Sequence, residues 1–170
     1  GYIEQLDDEL LRISKESFDA LSFNCYALSP DHKKMNHALE ISGLPMIIGE
    51  YHFGTVDRGL AQSLWQVNSQ KERGDAFQYY TENAFAHRGL IGTGWFRWID
   101  QNINGRTDGE NYNCGFIDVT DRPYPYMVDA AIEAAKSLYE IHSGTKTPFH
   151  QAPNAVGHSP IPCLLYTSDA

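Results

Sequence analysis

The sequence has 170 residues, enough for one domain, and 42% of them are hydrophobic, so a sizeable core can be buried. Its 13 basic and 22 acidic residues give a formal net charge of -9, which repels phosphate backbones and disfavours nucleic acid as a partner. No apolar run approaches membrane-spanning length, so membrane insertion is not expected. The three cysteines form no C-x-x-C pair, which excludes that kind of zinc or redox motif.

The first third of the chain alternates between helical and strand patterns. Apolar residues at helical spacing predict a helix over residues 2–17, whose buried face would contain Ile3, Leu6, Leu10 and Ile13. In chain order, the next predicted segments are a buried strand over 18–28, a helix that begins at Pro30 and ends at Gly43, and an apolar strand over 44–49.

The same alternation continues towards the C-terminus. Ser69 and Glu72 have the spacing of a capping box, and Phe77, Tyr80 and Ala84 would form the apolar face of the helix that follows. In chain order, the remaining predicted segments are a long loop over 51–68, this helix, a strand over 90–99, a second long loop over 100–122, and a helix from Pro123–Pro125 to Gly144.

The predicted order of elements is α-β-α-β-α-β-α. Apolar strands that alternate with amphipathic helices indicate an α/β fold with a parallel sheet covered on both faces. Both long loops follow strands, and functional sites of such folds lie at the carboxyl ends of the strands. Three strands cannot close a barrel, so the sequence predicts either a small open sheet or part of a larger fold.

Three segments are predicted along the chain. Residues 1–144 carry the α/β pattern, and residues 145–162 are rich in Pro and His and lack periodicity, which predicts an irregular tail. Residues 163–170 (CLLYTSDA) resemble a translated sequencing adapter, and we exclude them from the fold.

Glu50 is the first candidate for chemistry. It directly follows the apolar run Pro45-Met46-Ile47-Ile48-Gly49, at the carboxyl end of a predicted buried strand. A carboxylate at such a place is costly to desolvate unless it has partners or a catalytic task. The alternative is a structural glutamate that caps a loop or pairs with Arg58.

A second group of candidates lies around the third predicted strand. Trp95 and Trp98, together with Asp100 and Gln101, would suit a sugar, because an aromatic ring stacks on its apolar face while polar groups bind its hydroxyls. The alternative is that the aromatic residues belong to the core. Asn24 and Tyr26 end the first strand and would either face Glu50 or serve the core.

Metal binding is not predicted. The segment from Asp100 to Gly105 fits the first half of a calcium loop, but Asn111 occupies the twelfth position, where an acidic ligand is required. The seven histidines show no metal-ligand spacing, and no phosphate-binding loop is present. We therefore predict no metal and no cofactor.

Several motifs taken together resemble the C-terminal part of the β-agarases of glycoside hydrolase family 50. The resemblance covers about residues 18–142. The segments that carry it are 45–54 (PMIIGEYHFG), 57–59 (DRG), 100–101 (DQ), 105–111 (GRTDGEN) and 115–124 (GFIDVTDRPY).

This resemblance implies a clan A (β/α)8 barrel of which the chain holds strands six to eight with their helices. Glu50 would be the catalytic nucleophile at the end of strand seven, and the general acid/base would be a Glu at the end of strand four, which the chain does not contain. Retaining enzymes hold these two carboxyl groups about 5–5.5 Å apart. Tyr26 and His52 are expected to donate hydrogen bonds to Glu50. The residues expected to bind substrate are Asn24, Tyr26, His52, Arg58, Trp95, Trp98, Asp100, Gln101 and Glu110.

The implied substrate is an agarose-type galactan with β-galactosidic linkages, and such a polymer suggests a secreted or periplasmic enzyme. The last strand departs from the family, which reads His-Trp-Phe-Gln where this chain has Gly94-Trp95-Phe96-Arg97. Arg97 would favour an anionic or sulfated galactan, or it would point into the helix layer. Alternative functions are another clan A glycosidase, such as a β-galactosidase, and a non-catalytic carbohydrate-binding α/β domain.

Overall fold

The structure is a computed structural model that describes residues 1–157, so the adapter-like segment 163–170 and the end of the predicted tail lie outside the described residues. No helix in residues 1–157 is both long and apolar enough to cross a membrane. In chain order, the elements are α1 (Asp8–Ser17), β1 (Leu21–Asn24), α2 (His32–Ser42), β2 (Met46–Tyr51), β3 (Trp65–Gln66), α3 (Gln70–Phe85), β4 (Leu90–Trp95), α4 (Pro125–His142) and β5 (Val156–Gly157).

The central sheet contains three parallel strands in the order β1-β2-β4, connected through α2 and α3. The predicted α/β alternation is therefore confirmed. In the ladder, Asn24 at the end of β1 is the partner of Glu50, and Tyr51 is the partner of Trp95. The carboxyl ends of the three strands thus meet at one edge, together with the loops that follow them.

The strands β2 and β4 approach each other closely at Gly94. A Cβ atom added at this residue would lie 2.5 Å from the carbonyl oxygen of Gly49, a distance that real side chains do not adopt. Glycine is therefore required at position 94 for the two strands to pair as they do.

The N-terminal helix differs from its prediction. A short 3-10 turn at Ile3–Gln5 precedes α1, and the carboxylate of Asp7 caps α1 by accepting a hydrogen bond from the Leu10 amide at 2.8 Å. Because the 3-10 turn and α1 are separate helical segments, the apolar spacing does not continue from one into the other. Leu11 and Ile3 are buried, whereas Leu10 and Ile13 are exposed, so the predicted buried face was wrong for those two residues.

The predicted start of α3 is confirmed, with one change of partner. The Ser69 hydroxyl accepts a hydrogen bond from the Glu72 amide at 3.2 Å, as a capping box requires. The Glu72 carboxylate accepts a hydrogen bond from the backbone amide of Asn68 at 2.9 Å, whereas a capping box would use the amide of Ser69. The fixed start of α3 determines which of its side chains face the sheet.

An aromatic core lies beneath the end of β2. The Tyr51 ring is stacked on Tyr80 of α3 with a centroid distance of 4.0 Å, and its hydroxyl is hydrogen-bonded to Thr81. Such ring pairs contribute about 0.5–1.5 kcal/mol each beyond the area they bury. Tyr51 is the neighbour of Glu50, so this packing holds the backbone at the strand end in place.

The segment after α4 is only partly irregular. Val156 and Gly157 pair antiparallel with Gln66 and Trp65, which form β3 in the loop after β2. The segment is also tied to α3, because the Phe149 amide donates a hydrogen bond to the Glu82 carboxylate at 2.7 Å. The tail therefore returns to the loop that follows Glu50.

Candidate active site

Glu50 lies at the carboxyl end of β2 and is partly exposed. Its Oε2 atom accepts a hydrogen bond from the Tyr26 hydroxyl at 2.7 Å. Within residues 1–157, this is the only side-chain hydrogen bond to the carboxylate, so Oε1 has no protein donor there. The carboxylate is thus oriented by one donor and keeps an oxygen available to a ligand.

Tyr26 is suited to remain a donor. Burial and the adjacent Glu50 carboxylate raise the pKa of Tyr26 well above its usual value near 10, because both disfavour the phenolate. Its ring also contacts His52 edge-on, with a centroid distance of 4.7 Å. The prediction that Tyr26 donates to Glu50 is met by this geometry.

His52 does not reach Glu50 or a ligand, contrary to its predicted roles. Its side chain is buried, its Nδ1 atom lies 3.0 Å from the Phe96 carbonyl oxygen, and its Nε2 atom accepts from the Leu64 amide at 3.1 Å. These partners require a neutral ring with the proton on Nδ1. Burial lowers the pKa of His52 to about 3. His52 instead connects the loops that follow β2 and β4.

Asn24 is placed beside Glu50, as its position in the sequence predicted. It is the ladder partner of Glu50 and is half-buried. Its Oδ1 atom would lie 3.1 Å from a Cβ atom at Gly49, so the side chain extends across the end of β2. Asn24 is therefore available for a polar contact near the carboxylate.

Asp100 is part of a buried network and has no free surface, so the predicted substrate contact is corrected. The side chain is 3% exposed. Its carboxylate accepts hydrogen bonds from the Tyr124 hydroxyl at 2.6 Å, the Gly115 amide at 2.6 Å, and Nδ2 of Asn113 at 3.0 and 3.1 Å. A carboxylate with this many donors is fully used by the protein.

Gln101 has a structural role as well. It is fully buried, its Nε2 atom donates to Glu110 Oε2 at 2.7 Å, and its Oε1 atom accepts from the Tyr112 amide at 2.7 Å. Glu110 also forms an ion pair with Arg106 at 3.4 Å and is only partly buried. Gln101 is thus excluded from direct contact with substrate, and Glu110 orients the loop.

The two predicted tryptophan platforms are in different environments. Trp95 is partly buried and packs against Tyr51 and Phe77, and its Nε1 atom donates to the Cys114 carbonyl at 2.7 Å. Its role in binding substrate stays a prediction. Trp98 is 68% exposed and is stacked on Phe116 with an interplanar angle of 26°. Of these two tryptophans, Trp98 has the more accessible ring, and Phe116 supports it.

Arg58 is exposed and lies 3.9 Å from the Asp57 carboxylate, at the limit of an ion pair. Its guanidinium lies over the Tyr124 ring at 5.6 Å. It therefore does not pair with Glu50, which was the structural alternative for that carboxylate. The guanidinium remains on the surface of the loop after β2.

Sequence reasoning missed Arg73, which joins the two long loops to α3. Arg73 is fully buried, donates to the carbonyl oxygens of Asn113 at 3.1 Å and of Gly115, and lies 4.4 Å from the Tyr124 ring centroid. Burial lowers its pKa, and the nearby Asp100 opposes that shift. The available signal was its spacing from Phe77, because residues four positions apart lie on the same face of a helix. Arg73 was therefore on the face predicted to be apolar.

No group of three His, Cys, Asp or Glu side chains in residues 1–157 is arranged to hold a metal ion.

Comparison with known proteins places these features in a family context. No family model matches the chain. It is 40% identical over 129 residues to β-agarase A and 37% identical over 123 residues to β-agarase B, both from Vibrio sp. (strain JT0107). These matches cover 75% and 71% of this chain, which spans only 12% and 13% of the two relatives.

Solved structures give the same result. The chain superposes on PfGH50B with a TM-score of 0.75 at 38% identity, covering 79% of this chain and 19% of that one. It superposes on an exo-β-agarase with a TM-score of 0.75 at 36% identity, covering 80% and 18%. For the agarase AgWH50C the TM-score is 0.72 at 35% identity, covering 81% and 21%. About three quarters or more of the chain is therefore similar, in sequence and in fold, to part of the β-agarases and of a family 50 glycoside hydrolase.

Proposed function

We propose that residues 1–144 form strands six to eight, with their helices, of a (β/α)8 barrel in a retaining glycoside hydrolase. The three parallel strands follow one another in sequential order, as in such a barrel. The backbone before α1 adds support: Tyr2 forms a parallel bridge with Asn24, and the Asn24 amide donates to the Gly1 carbonyl at 2.8 Å. The chain there occupies the position of a preceding strand.

In this proposal Glu50 is the catalytic nucleophile, and its hydrogen bond from Tyr26 is the observation that carries the assignment. The donor fixes one carboxylate oxygen at the carboxyl end of β2 and leaves the other oxygen without a protein partner in residues 1–157. Nucleophilic attack needs this combination of orientation and access. Asp100, the other acidic candidate, lies in the loop after β4, where it accepts four hydrogen bonds from three donor groups and cannot supply this combination.

The reaction takes place in two steps. A Glu50 oxygen forms a bond to the anomeric carbon while the bond to the leaving oxygen breaks, and the acid/base carboxyl gives that oxygen its proton. Water then gives a proton back to the acid/base, attacks the same carbon and releases Glu50. The family resemblance assigns the acid/base to strand four, which has no counterpart among the strands described here.

The proposed substrate is an agarose-type galactan cleaved at β-galactosidic linkages. Both curated relatives are β-agarases, and the accessible face of Trp98 on its Phe116 support is suited to the apolar face of a pyranose. Asn24 lies near the carboxylate and can bind a sugar hydroxyl.

Trapping the glycosyl-enzyme tests the assignment of Glu50. The full-length protein is incubated with an activated 2-deoxy-2-fluoro-β-galactoside and digested, and the peptides are analysed by mass spectrometry. We expect one fluorogalactosyl group on the peptide that contains Glu50, and none in the Glu50→Gln variant. A label on another carboxylate would remove Glu50 from its role, and tight binding without any turnover would favour a carbohydrate-binding domain.

A further inference from the structure

A pocket of about 340 Å³ lies next to the Glu50–Tyr26 pair, between the segment before α1 and the loop after β2. Its walls include Tyr2, Glu4, Gln5, Tyr26 and Trp65. Volumes of 300–1,000 Å³ are typical of small-molecule sites. Tyr26 belongs to both places, because its ring lines the pocket and its hydroxyl donates to Glu50.

The walls combine aromatic rings with polar groups. The rings of Tyr2 and Tyr26 have a centroid distance of 6.3 Å and are tilted by 59°, and the Trp65 indole forms a third wall. Within residues 1–157, Trp65 Nε1 makes no hydrogen bond. Glu4 Oε1 already accepts from Lys34 and Gln5 Oε1 from the Tyr2 amide, so Glu4 Oε2 and Gln5 Nε2 are the groups left for hydroxyl groups. Rings and hydroxyl partners together fit a pyranose.

The position of Trp65 depends on the tail. Trp65 pairs with Gly157 across β3 and β5, and a Cβ atom on Gly157 would lie 2.9–3.1 Å from three atoms of the indole. The tail backbone thus packs directly on the ring, at a distance that only glycine permits without displacement. The segment is held there by its hydrogen bonds to α3 through Phe149.

We propose that this pocket is a second pyranose-binding subsite, in which Trp65, braced by Gly157, binds a neutral sugar unit of a substrate whose next units extend past Tyr26 to Glu50. The inference rests on the proposed function, since it assigns a further unit of the same galactan. A neutral unit is expected because Glu4 is the only charged residue of the pocket walls and its carboxylate is already paired with Lys34 at 3.1 Å, so no cation is free to bind an anionic substituent.

Binding measurements on the full-length protein test this subsite separately from catalysis. The Glu50→Gln background is used, and affinities for galactose, an agarose disaccharide, a tetrasaccharide and a hexasaccharide are measured by calorimetry. In that background, Trp65→Ala should weaken binding of the longest oligosaccharides roughly ten-fold, the size expected for a lost buried ring contact, and should not change galactose binding. Trp65→Phe should restore part of the affinity.

Two further variants complete the design. Gly157→Val should weaken the same long oligosaccharides by displacing the indole, and it should shift the tryptophan fluorescence of the free protein. Tyr139→Ala removes a highly exposed ring on α4 and serves as the matched control with unchanged affinity. Equal losses for short and long ligands, or unchanged binding in Trp65→Ala, would overturn the subsite. Absence of hydrolysis by the wild-type protein, with length-dependent binding intact, would overturn only the proposed function.

Discussion

Glu50, at the carboxyl end of β2, and Asp100, in the loop after β4, are acidic residues of neighbouring parallel strands, yet their surroundings are opposite. The Glu50 carboxylate accepts one hydrogen bond from residues 1–157 and is partly exposed, whereas the Asp100 carboxylate is buried and accepts four hydrogen bonds from three donor groups. A carboxylate without free acceptor capacity cannot approach a substrate. A position at or beyond the carboxyl end of a strand thus identifies candidate acidic residues, and the number of hydrogen bonds from the protein separates an accessible carboxylate from a structural one.

Replacing each carboxylate by its amide gives the largest expected effects, and the two variants should fail in different ways. Glu50→Gln in the full-length protein should lower kcat on the order of 10⁴-fold or more, as expected for a lost nucleophile, with little change in stability. Asp100→Asn should lower the free energy of unfolding by roughly 2–4 kcal/mol, because donors that face Asp100 lose their acceptor and Arg73 loses its nearby negative charge. Kinetics and urea unfolding on both variants measure the contrast. A stability loss in Glu50→Gln as large as in Asp100→Asn would break it.

The buried His52 should affect the stability of the protein and make that stability depend on pH. Its pKa in the folded protein is about 3, against 6.5 for an exposed imidazole, so between these values the unfolded chain binds a proton that the folded chain does not. Stability should therefore fall as the pH is lowered from 6.5 towards 3, by a few kcal/mol in total. His52→Gln can keep a donor to Phe96 and an acceptor for Leu64 without titrating, and it should lose less stability between pH 6.5 and 4. Parallel stability curves for the two proteins would contradict this.

Removing the Tyr26 hydroxyl, the single donor to Glu50, should lower activity by a smaller factor and leave stability nearly unchanged. Tyr26→Phe removes a hydrogen bond to a charged group, which we expect to lower kcat/KM by about 10- to 100-fold. Thermal unfolding should change little, because the ring and its contact with His52 remain. Tyr139→Phe removes the hydroxyl of an exposed tyrosine and is the control. Unchanged kinetics in Tyr26→Phe would show that the carboxylate does not depend on this donor.

Replacing Arg97 is expected to have the smallest effect, a change in substrate preference. It follows β4, is partly exposed, and its guanidinium has no acceptor among residues 1–157. If it faces the substrate, Arg97→Gln should reduce the preference for a sulfated over a desulfated sample of the same galactan by about 2- to 5-fold, the size of an exposed ion pair. Arg122→Gln in the adjacent loop is the matched control. Equal kcat/KM ratios in wild type and variant would place Arg97 away from the substrate.

Features of the fold that depend on local signals were predicted from the sequence. The alternation of strands and helices, the end of α2 at Gly43 and the cap at Ser69 each depend on a few adjacent residues. The location of Glu50 at a strand end follows from the same local pattern. The predicted burial of Leu10 and Ile13 was wrong because the cap at Asp7 starts a new helix, so the apolar spacing from Ile3 does not continue into α1.

The roles of side chains in the long loops could not be predicted in the same way. Asp100, Gln101 and Trp95 have all the residue types of a sugar site, but their partners come from residues 110–124, and Arg73 of α3 joins the same network. These contacts connect parts of the chain that no short pattern relates. Trp65 was missed for the same reason, because its partner Gly157 is distant in sequence.

The contact between Gly94 and the Gly49 carbonyl limits how this protein can be redesigned. In a saturation library at position 94, only the glycine variant should fold, since any larger residue separates β4 from β2, the strand that contains Glu50. Altered selectivity therefore has to be sought in the aromatic residues of the loops, where substitution leaves the sheet intact.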